Sequence, residues 1–255
     1  MLCYKSWLET RWRFVGGLVL LVLSAGATVA LYPEVLRLLP MASSIELQGE
    51  LGRRVTESAE LARSYRGYVW SQWFRQNMPQ LWTLIVIVLG TGGVFSQAAG
   101  GGELFTLSLP VSRRRLVGVR AATLIAELLV LALIPALIFP LLSPAIGQSY
   151  GVGEALVHSL CMFVGGVLFC SLAFLLSTVF GDIWHPLLIA VCVAIAWGVV
   201  EQVTGDAFRH GVFRAMSGES YFRGEGMPWP SLFGSAAIAV VMLSAATRNV
   251  ARQDF

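Results

Sequence analysis

The amino-acid sequence predicts an all-α integral membrane protein with six transmembrane helices, on three observations. Of its 255 residues 56% are hydrophobic and only 13% are charged, whereas a soluble domain carries roughly a quarter charged residues and needs them for its surface. Apolar runs of about 18 or more residues recur along the chain, the length that crosses the hydrocarbon core as a helix. The arginines are scattered among the connections between those runs, as charges must be when the bilayer is the solvent.

The runs place spans at about 14 to 32, 81 to 99, 116 to 142, 155 to 180, 186 to 203 and 230 to 247, in a single transmembrane domain over residues 1–255. An even number puts both termini on one side. The first run, FVGGLVLLVLSAGATVAL, follows Lys5, Arg11 and Arg13 and contains Ala25-Gly26-Ala27, a local pattern shared with cleaved signal peptides. It continues past those small residues to Leu31, which suits a retained anchor. Orientation follows from arginine density near span ends. Arg113, Arg114, Arg115 and Arg120 cluster at the second connection, with Lys5, Arg11 and Arg13 at one terminus and Arg248 and Arg252 at the other. As many basic residues lie on the opposite side, but most of them sit in two longer loops, interleaved with glutamates. Both termini are therefore expected in the cytoplasm, with the chain multi-pass in the plasma membrane of a prokaryote.

Composition excludes several functions. The net charge is +3 and the 18 basic residues include a single lysine, Lys5, so a basic face for nucleic acid is not expected. A phosphate-cradling loop needs G-x-x-x-x-G-K-[ST], and Lys5 follows no glycine, so these residues hold no Walker-type ATPase. Cys161, Cys170 and Cys192 fall in apolar segments and Cys3 near the amino terminus, a placement without disulfide or metal spacing. None of the three histidines has the partner that an H-E-x-x-H zinc site requires. The stretch GQSYG, Gly147 to Gly151, matches a G-x-S-x-G nucleophile pattern, with His158, His210 and Asp206 as conceivable partners. That motif works where a strand enters a sharp turn, and FPLLSPAI before Ser149 reads as the proline-broken end of span three.

The connection at about 33 to 80 is expected to be an external, mostly helical loop. It opens with a capping box, Ser43 to Glu46, and carries Leu47, Leu51, Val55, Ala59, Ala62, Tyr65, Val69 and Trp73 at helical steps. Tyr68, Trp70 and Trp73 at its end are expected at the outer interface, where aromatic rings prefer to sit. The second external loop, about 204 to 229, is rich in glycine and aromatics, and reads equally as short helices or as a segment dipping into the membrane edge.

The stretch GGGELFTLSLPVSRRR, residues 100 to 115, gathers features the chain otherwise avoids. Three glycines end span two. Leu104, Phe105, Leu107 and Leu109 supply an apolar side, Glu103 a negative charge near the start of a short helix, and Pro110 a stop before the arginines. An apolar-faced helix at the cytoplasmic surface either meets a partner or lies in the headgroups with its arginines on anionic lipid.

ELFTLSLPVSRRRLVGVR resembles the connection between the second and third spans of ABC-2-type transporter permeases. The amphipathic lead YKSWLETRWRF, over residues 1–13, and the closing RNVARQDF resemble that family too, so the likeness runs the length of the chain. The resemblance implies a coupling helix, Glu103 to Arg113, that docks in a separate ATP-binding subunit, with Leu104, Phe105 and Leu107 as apolar contacts among Ser108, Leu109 and Pro110. Asp182 and His185, in the short turn between spans four and five, are implied as a secondary contact on the same partner. It further implies two ATPase copies, which carry the ATP and magnesium, and a second permease copy, identical or a sister subunit. Spans two and five of similar proteins line the path, which here nominates Trp82, Thr91, Gln97, Trp197 and Glu201. The implied activity is export of a lipid, drug, antibiotic or glycan-like molecule, with no cofactor on this chain and no enzymatic activity of its own.

Glu127 stands apart. It lies about 16 Å along a helix from Leu116, near the expected bilayer centre, where a carboxylate must face protein or a wet cavity. Arg120 is its nearest candidate partner, and the residue reads equally as structural or as a gating group of the path. A rival reading of the whole chain is an ion-gradient-driven transporter, which needs such membrane-depth polar groups; an intramembrane serine hydrolase using Ser149 is a second.

Overall fold

The computed structural model of the chain describes residues 2–43, 59–91, 112–205 and 211–252. Among the described residues there is no strand. Helix α1 (Leu2–Ser43) is followed, after a helical turn at 59–63, by α2 (Tyr65–Tyr68), which runs through a π-helical segment (Val69–Asn77) into α3 (Met78–Gly90). Helix α4 (Arg113–Leu142) ends in a 3-10 turn (Ser143–Ile146) and returns as α5 (Val152–Ser177). Then come α6 (Trp184–Thr204), two short helices α7 (Val212–Ser217) and α8 (Glu219–Phe222), and α9 (Trp229–Arg252). Five of these, α1, α4 with its extension, α5, α6 and α9, are long and apolar enough to cross a membrane. The chain is an all-helical, multi-pass membrane protein. Of the sixth expected span, residues 81 to 99, only the part through Thr91 is described.

Helix α5 is the centre of the bundle, packed against α3, α4, α6, α7 and α9, while α1 lies along α4 and touches α3. The α4–α5 hairpin closes over Gly147, whose φ of 70° is the left-handed conformation a helix stop uses. At the opposite end Asn249 Nδ2 donates to the Thr178 carbonyl at 3.0 Å, joining the last turns of α9 to the end of α5. The starts of α1 and α4 lie there too, so both ends of the described chain share one end of the bundle, called proximal below.

Helix α1 is one unbroken element. The lead segment 1–13 continues directly into the first span, and the helix runs on through Pro33 and Pro40 to Ser43. A proline inside a helix removes one backbone hydrogen bond, and here no glycine stop accompanies it.

The stretch Tyr65 to Gly90 departs further from the sequence expectation. Ser64 caps it, accepting from Gly67 N–H at 3.1 Å. The π-helical turns that follow end on Met78, whose N–H reaches back to the Trp73 carbonyl, and Pro79 comes next. A proline ring collides with the carbonyl four residues back in an α-helix; the wider π turn moves that carbonyl aside. Tyr68, Trp70 and Trp73 are buried in the protein core, so their rings meet protein on all sides. Trp73 Nε1 reaches Ser24 Oγ on α1 at 3.2 Å, and its ring meets Phe139 of α4 edge-on at 5.0 Å. Neighbouring helices provide the partners that headgroups otherwise would.

Candidate functional site

At the proximal end, α1 and α4 face each other through polar side chains. Ser6, Thr10, Gly17 and Leu21 recur at helical steps on one face of α1, with Glu9 and Arg13 beside them. Val117, Arg120, Leu124, Glu127, Leu128 and Leu131 do the same on α4. Gly17 lets the elements close up, since a Cβ there would lie 2.9 Å from Ile85 and 3.7 Å from Leu131. Arg120 Nη1 donates to Glu9 Oε2 at 2.8 Å in a largely buried ion pair. A 2.5 Å hydrogen bond joins Thr10 Oγ1 and Glu127 Oε1, with both residues buried. Arg13 Nη1 donates to the carbonyls of Val88 and Thr91, at 3.3 and 3.1 Å, where α3 ends and leaves carbonyls without helical partners. One stretch of α1 therefore grips α3 where residues 92–111 depart and α4 where they return.

This geometry revises two expectations. Arg120 gives its hydrogen bond to Glu9 and reaches Glu127 through its charge, while the hydrogen-bond partner of Glu127 is Thr10. Glu127 is also level with a residue four positions ahead of the first apolar run, so it lies toward the proximal end of the bundle although it is midway along its own helix. The pairing was hidden because it joins residues more than a hundred positions apart. The Glu9–Arg120 pair yields a prediction. Removing either partner leaves the other charge buried and costs about 3–5 kcal/mol, whereas replacing both with apolar residues costs far less. Thermal unfolding of Glu9→Leu, Arg120→Leu and the double variant in detergent is expected to show that non-additivity; additive losses would discard the pair.

Glu201 and Trp197, on α6, belong to a second arrangement. Glu201 is buried and accepts from Trp197 Nε1 at 2.6 Å, from Phe213 N–H at 3.0 Å and from Arg214 N–H at 3.4 Å. Its carboxylate thus holds the start of α7. That start is deep, for Phe213 stacks on Phe169 at 5.3 Å, about 25 Å along α5 from its distal beginning at Val152. From there α7 climbs α5. Met216 lies over Gly165, where a Cβ would come within 2.9 Å, and Gly218 lies over His158, where a Cβ would come 2.5 Å from Nδ1. Trp70 then stacks on Phe222 of α8 at 4.1 Å, and its Nε1 donates to the Ser217 carbonyl at 3.1 Å. Residues 211–222 are thereby inserted among helices. Their backbone finds donors and acceptors within the protein, as irregular chain at membrane depth must.

Of the other nominated residues, Trp82 is fully buried and donates to the Met162 carbonyl of α5 at 2.8 Å. Thr91 is buried, with Oγ1 on the Val88 carbonyl at 3.0 Å. Asp182 accepts from His185 N–H at 3.3 Å and pairs with its ring, both side chains being open to the surroundings. Arg113 is the first residue of α4. Gln97 and Glu103, Leu104, Phe105, Leu107, Ser108, Leu109 and Pro110 lie outside the described residues, as do Asp206 and His210. Ser149 stands in a turn between two helical elements, without the strand its motif requires.

Sequence reasoning missed the distal aromatic cap. Tyr65 Oη lies 2.7 Å from Ser143 Oγ, Tyr32 packs on Tyr65 and Tyr68 at about 5 Å, and Phe74 stacks on His158 at 4.4 Å. Burial pushes the Tyr65 and Tyr150 hydroxyls above the ordinary phenol range, so both stay neutral. Arg66 pairs with Glu154 and lies over Phe222 at 5.2 Å, closing the cap. The run YVWSQWF was its signal, read there as an interfacial belt.

Fold and cluster together define an all-helical, multi-pass membrane protein with buried charged groups at its proximal end, Arg120 and Glu127, and on α6, Glu201, among the described residues. No protein family model, curated protein or solved structure matches the chain.

Proposed function

We propose that the chain is the membrane-spanning permease subunit of an ABC-2-type transporter, driven by two copies of a separate ATP-binding subunit and paired with a second permease copy. The single observation that carries the reading is the stretch Glu103 to Arg113: apolar, bounded by glycines and arginines, and similar to that family's coupling connection. The described structure supports it from both sides. Residues 92–111 join the proximal ends of α3 and α4, and the same α1 turns hold both attachment points through Arg13 and through Glu9 and Thr10. A push on the segment therefore passes into three helices at once.

With both termini and this segment in the cytoplasm, as arginine density argues, ATP binding on the partner closes its two copies. The coupling segment carries that closure into the spans, and the path opens outward for a lipid, drug, antibiotic or glycan-like cargo. Helix α6 fits a place beside that path, because it buries only Pro186, Ala190, Ala194 and Glu201 and leaves its other apolar faces to lipid and to a second copy.

The test is retention of the ATP-binding subunit. Phe105→Asp with Leu107→Asp puts two charges on the apolar face and is expected to lower co-purification of the partner at least about tenfold, with the permease still inserted. Undiminished association removes the proposal. A second reading, an ion-gradient-driven transporter, is favoured by the burial of Glu127; ATP-independent uptake by the purified chain in vesicles would decide for it.

A further inference from the structure

Three buried polar atoms along one seam have no partner: Ser6 Oγ on α1, and Arg120 Nε and Glu127 Oε2 on α4. Ser6, Arg120 and Glu127 are each more than nine-tenths buried. An acceptor, a donor and a hydroxyl left open on facing helices are what a buried water satisfies, since such waters bridge otherwise unpaired polar groups.

The state of Glu127 turns on where the Thr10 proton goes and on what surrounds the carboxyl group. Thr10 Oγ1 lies 3.2 Å from the Ser6 carbonyl and 2.5 Å from Glu127 Oε1. A threonine hydroxyl has one proton, and within a helix it commonly gives that proton to the carbonyl four residues back. With the Thr10 proton on that carbonyl, the proton between Thr10 and Glu127 is the carboxyl group's own; with Thr10 donating to Oε1, Glu127 Oε2 is a buried anionic oxygen without a donor. An ionised Glu127 needs compensation that its surroundings do not commit. Arg120 reaches Glu127 with its charge but gives its hydrogen bond to Glu9 on α1, Arg13 of α1 is bonded to the carbonyls ending α3, and Cys170 on α5, buried near Glu127, brings no positive charge. A buried carboxylate with one oxygen left without a donor costs several kcal/mol at such a place.

We propose that the seam between α1 and α4 is a hydrated proton-binding site in which Glu127 carries the proton. Water held by Ser6 and Arg120 links Glu127 to the proximal surface, where the side chains of Glu9 and Arg120 keep 16% and 10% exposure. Exchange is a simple acid–base step: the carboxyl group gives its proton to a seam water, leaving a carboxylate and a hydronium ion that passes to bulk, and the reverse step restores it. The ionised form accepts from Thr10 and draws Arg120 away from Glu9, so loss of the proton reorganises the contact between α1 and α4. The site is independent of whether ATP or an ion gradient drives the chain.

The experiment is infrared difference spectroscopy on the purified full-length chain in lipid nanodiscs, titrated with pH in water and in heavy water. The expected result is a protonated-carboxyl carbonyl band at neutral pH that disappears on alkalinisation and shifts on deuterium exchange. Glu127→Gln is expected to remove one carboxyl equivalent per chain, and Thr10→Val, which keeps the side-chain shape, to move the band to higher frequency. The proposal is overturned by a wild-type chain with no such band, or by a band that both variants leave unchanged. A band that resists deuterium while exposed amides exchange overturns the hydrated seam. Neither ATP nor a partner subunit is present, so failure here is distinct from loss of ATPase retention.

Discussion

Gly166→Ala is expected to destabilise the purified protein by about 3 kcal/mol. The added carbon would lie 2.4 Å from Trp82 Nε1 and 2.8 Å from Cε2, against a rigid ring that is fully buried and has nowhere to turn. Overpacking a well-filled core costs about 1–3 kcal/mol. Here displacement of the indole also breaks its 2.8 Å bond to the Met162 carbonyl, leaving a donor unsatisfied at about 1–3 kcal/mol more. The measurement is thermal unfolding in detergent. Trp82→Phe in the same background removes the colliding N–H edge and is expected to recover part of the loss. An unchanged midpoint for Gly166→Ala shows that α3 and α5 do not meet here.

Glu201→Ala is the second large effect, and its signature is local. The carboxylate takes hydrogen bonds from Phe213 N–H, Arg214 N–H and the Trp197 indole. Its removal strands three donors at membrane depth, each worth about 1–3 kcal/mol. The start of α7 is then expected to lose its hold on α6, and amide exchange over Val212–Ser217 to accelerate by at least about tenfold while α5 stays protected. Glu201→Gln retains an oxygen acceptor and is expected to show a much smaller change. Equal exchange in all three proteins would falsify the capping role.

How far the sequence revealed this architecture varies with the range of the interactions concerned. Hydropathy located the apolar runs of α1, α4, α5, α6 and α9, because partition into lipid is a property of each segment alone. It did not show that α1 is continuous over Leu2–Ser43, since a backbone ladder continues wherever nothing interrupts it, through Pro33 and beyond the lipid-facing residues alike. Trp70 and Trp73 were expected in the headgroup region; an aromatic residue prefers such a boundary unless other helices enclose it, and Ser24, Phe139, Ser217 and Phe222 do so from distant parts of the chain. Glu127 was legible as an oddity, because a carboxylate in an apolar run is costly wherever it packs. Its bond to Thr10 was not, because local periodicity says nothing about which helices lie side by side. Glu201 was singled out as a polar group in an apolar helix, and its three bonds show how it holds a short inserted helix.

The continuity of α1 has a mechanical consequence. Its 42 residues make a rod about 63 Å long, roughly twice the thickness of the hydrocarbon layer. Such a rod passes through the bilayer like an oar through a rowlock, so a tilt at one end becomes an opposite sweep at the other. Thr10 and Tyr32 sit on the two arms of that oar, and a shift beside Glu127 is felt among the tyrosines of the far cap without any relay of side chains between them.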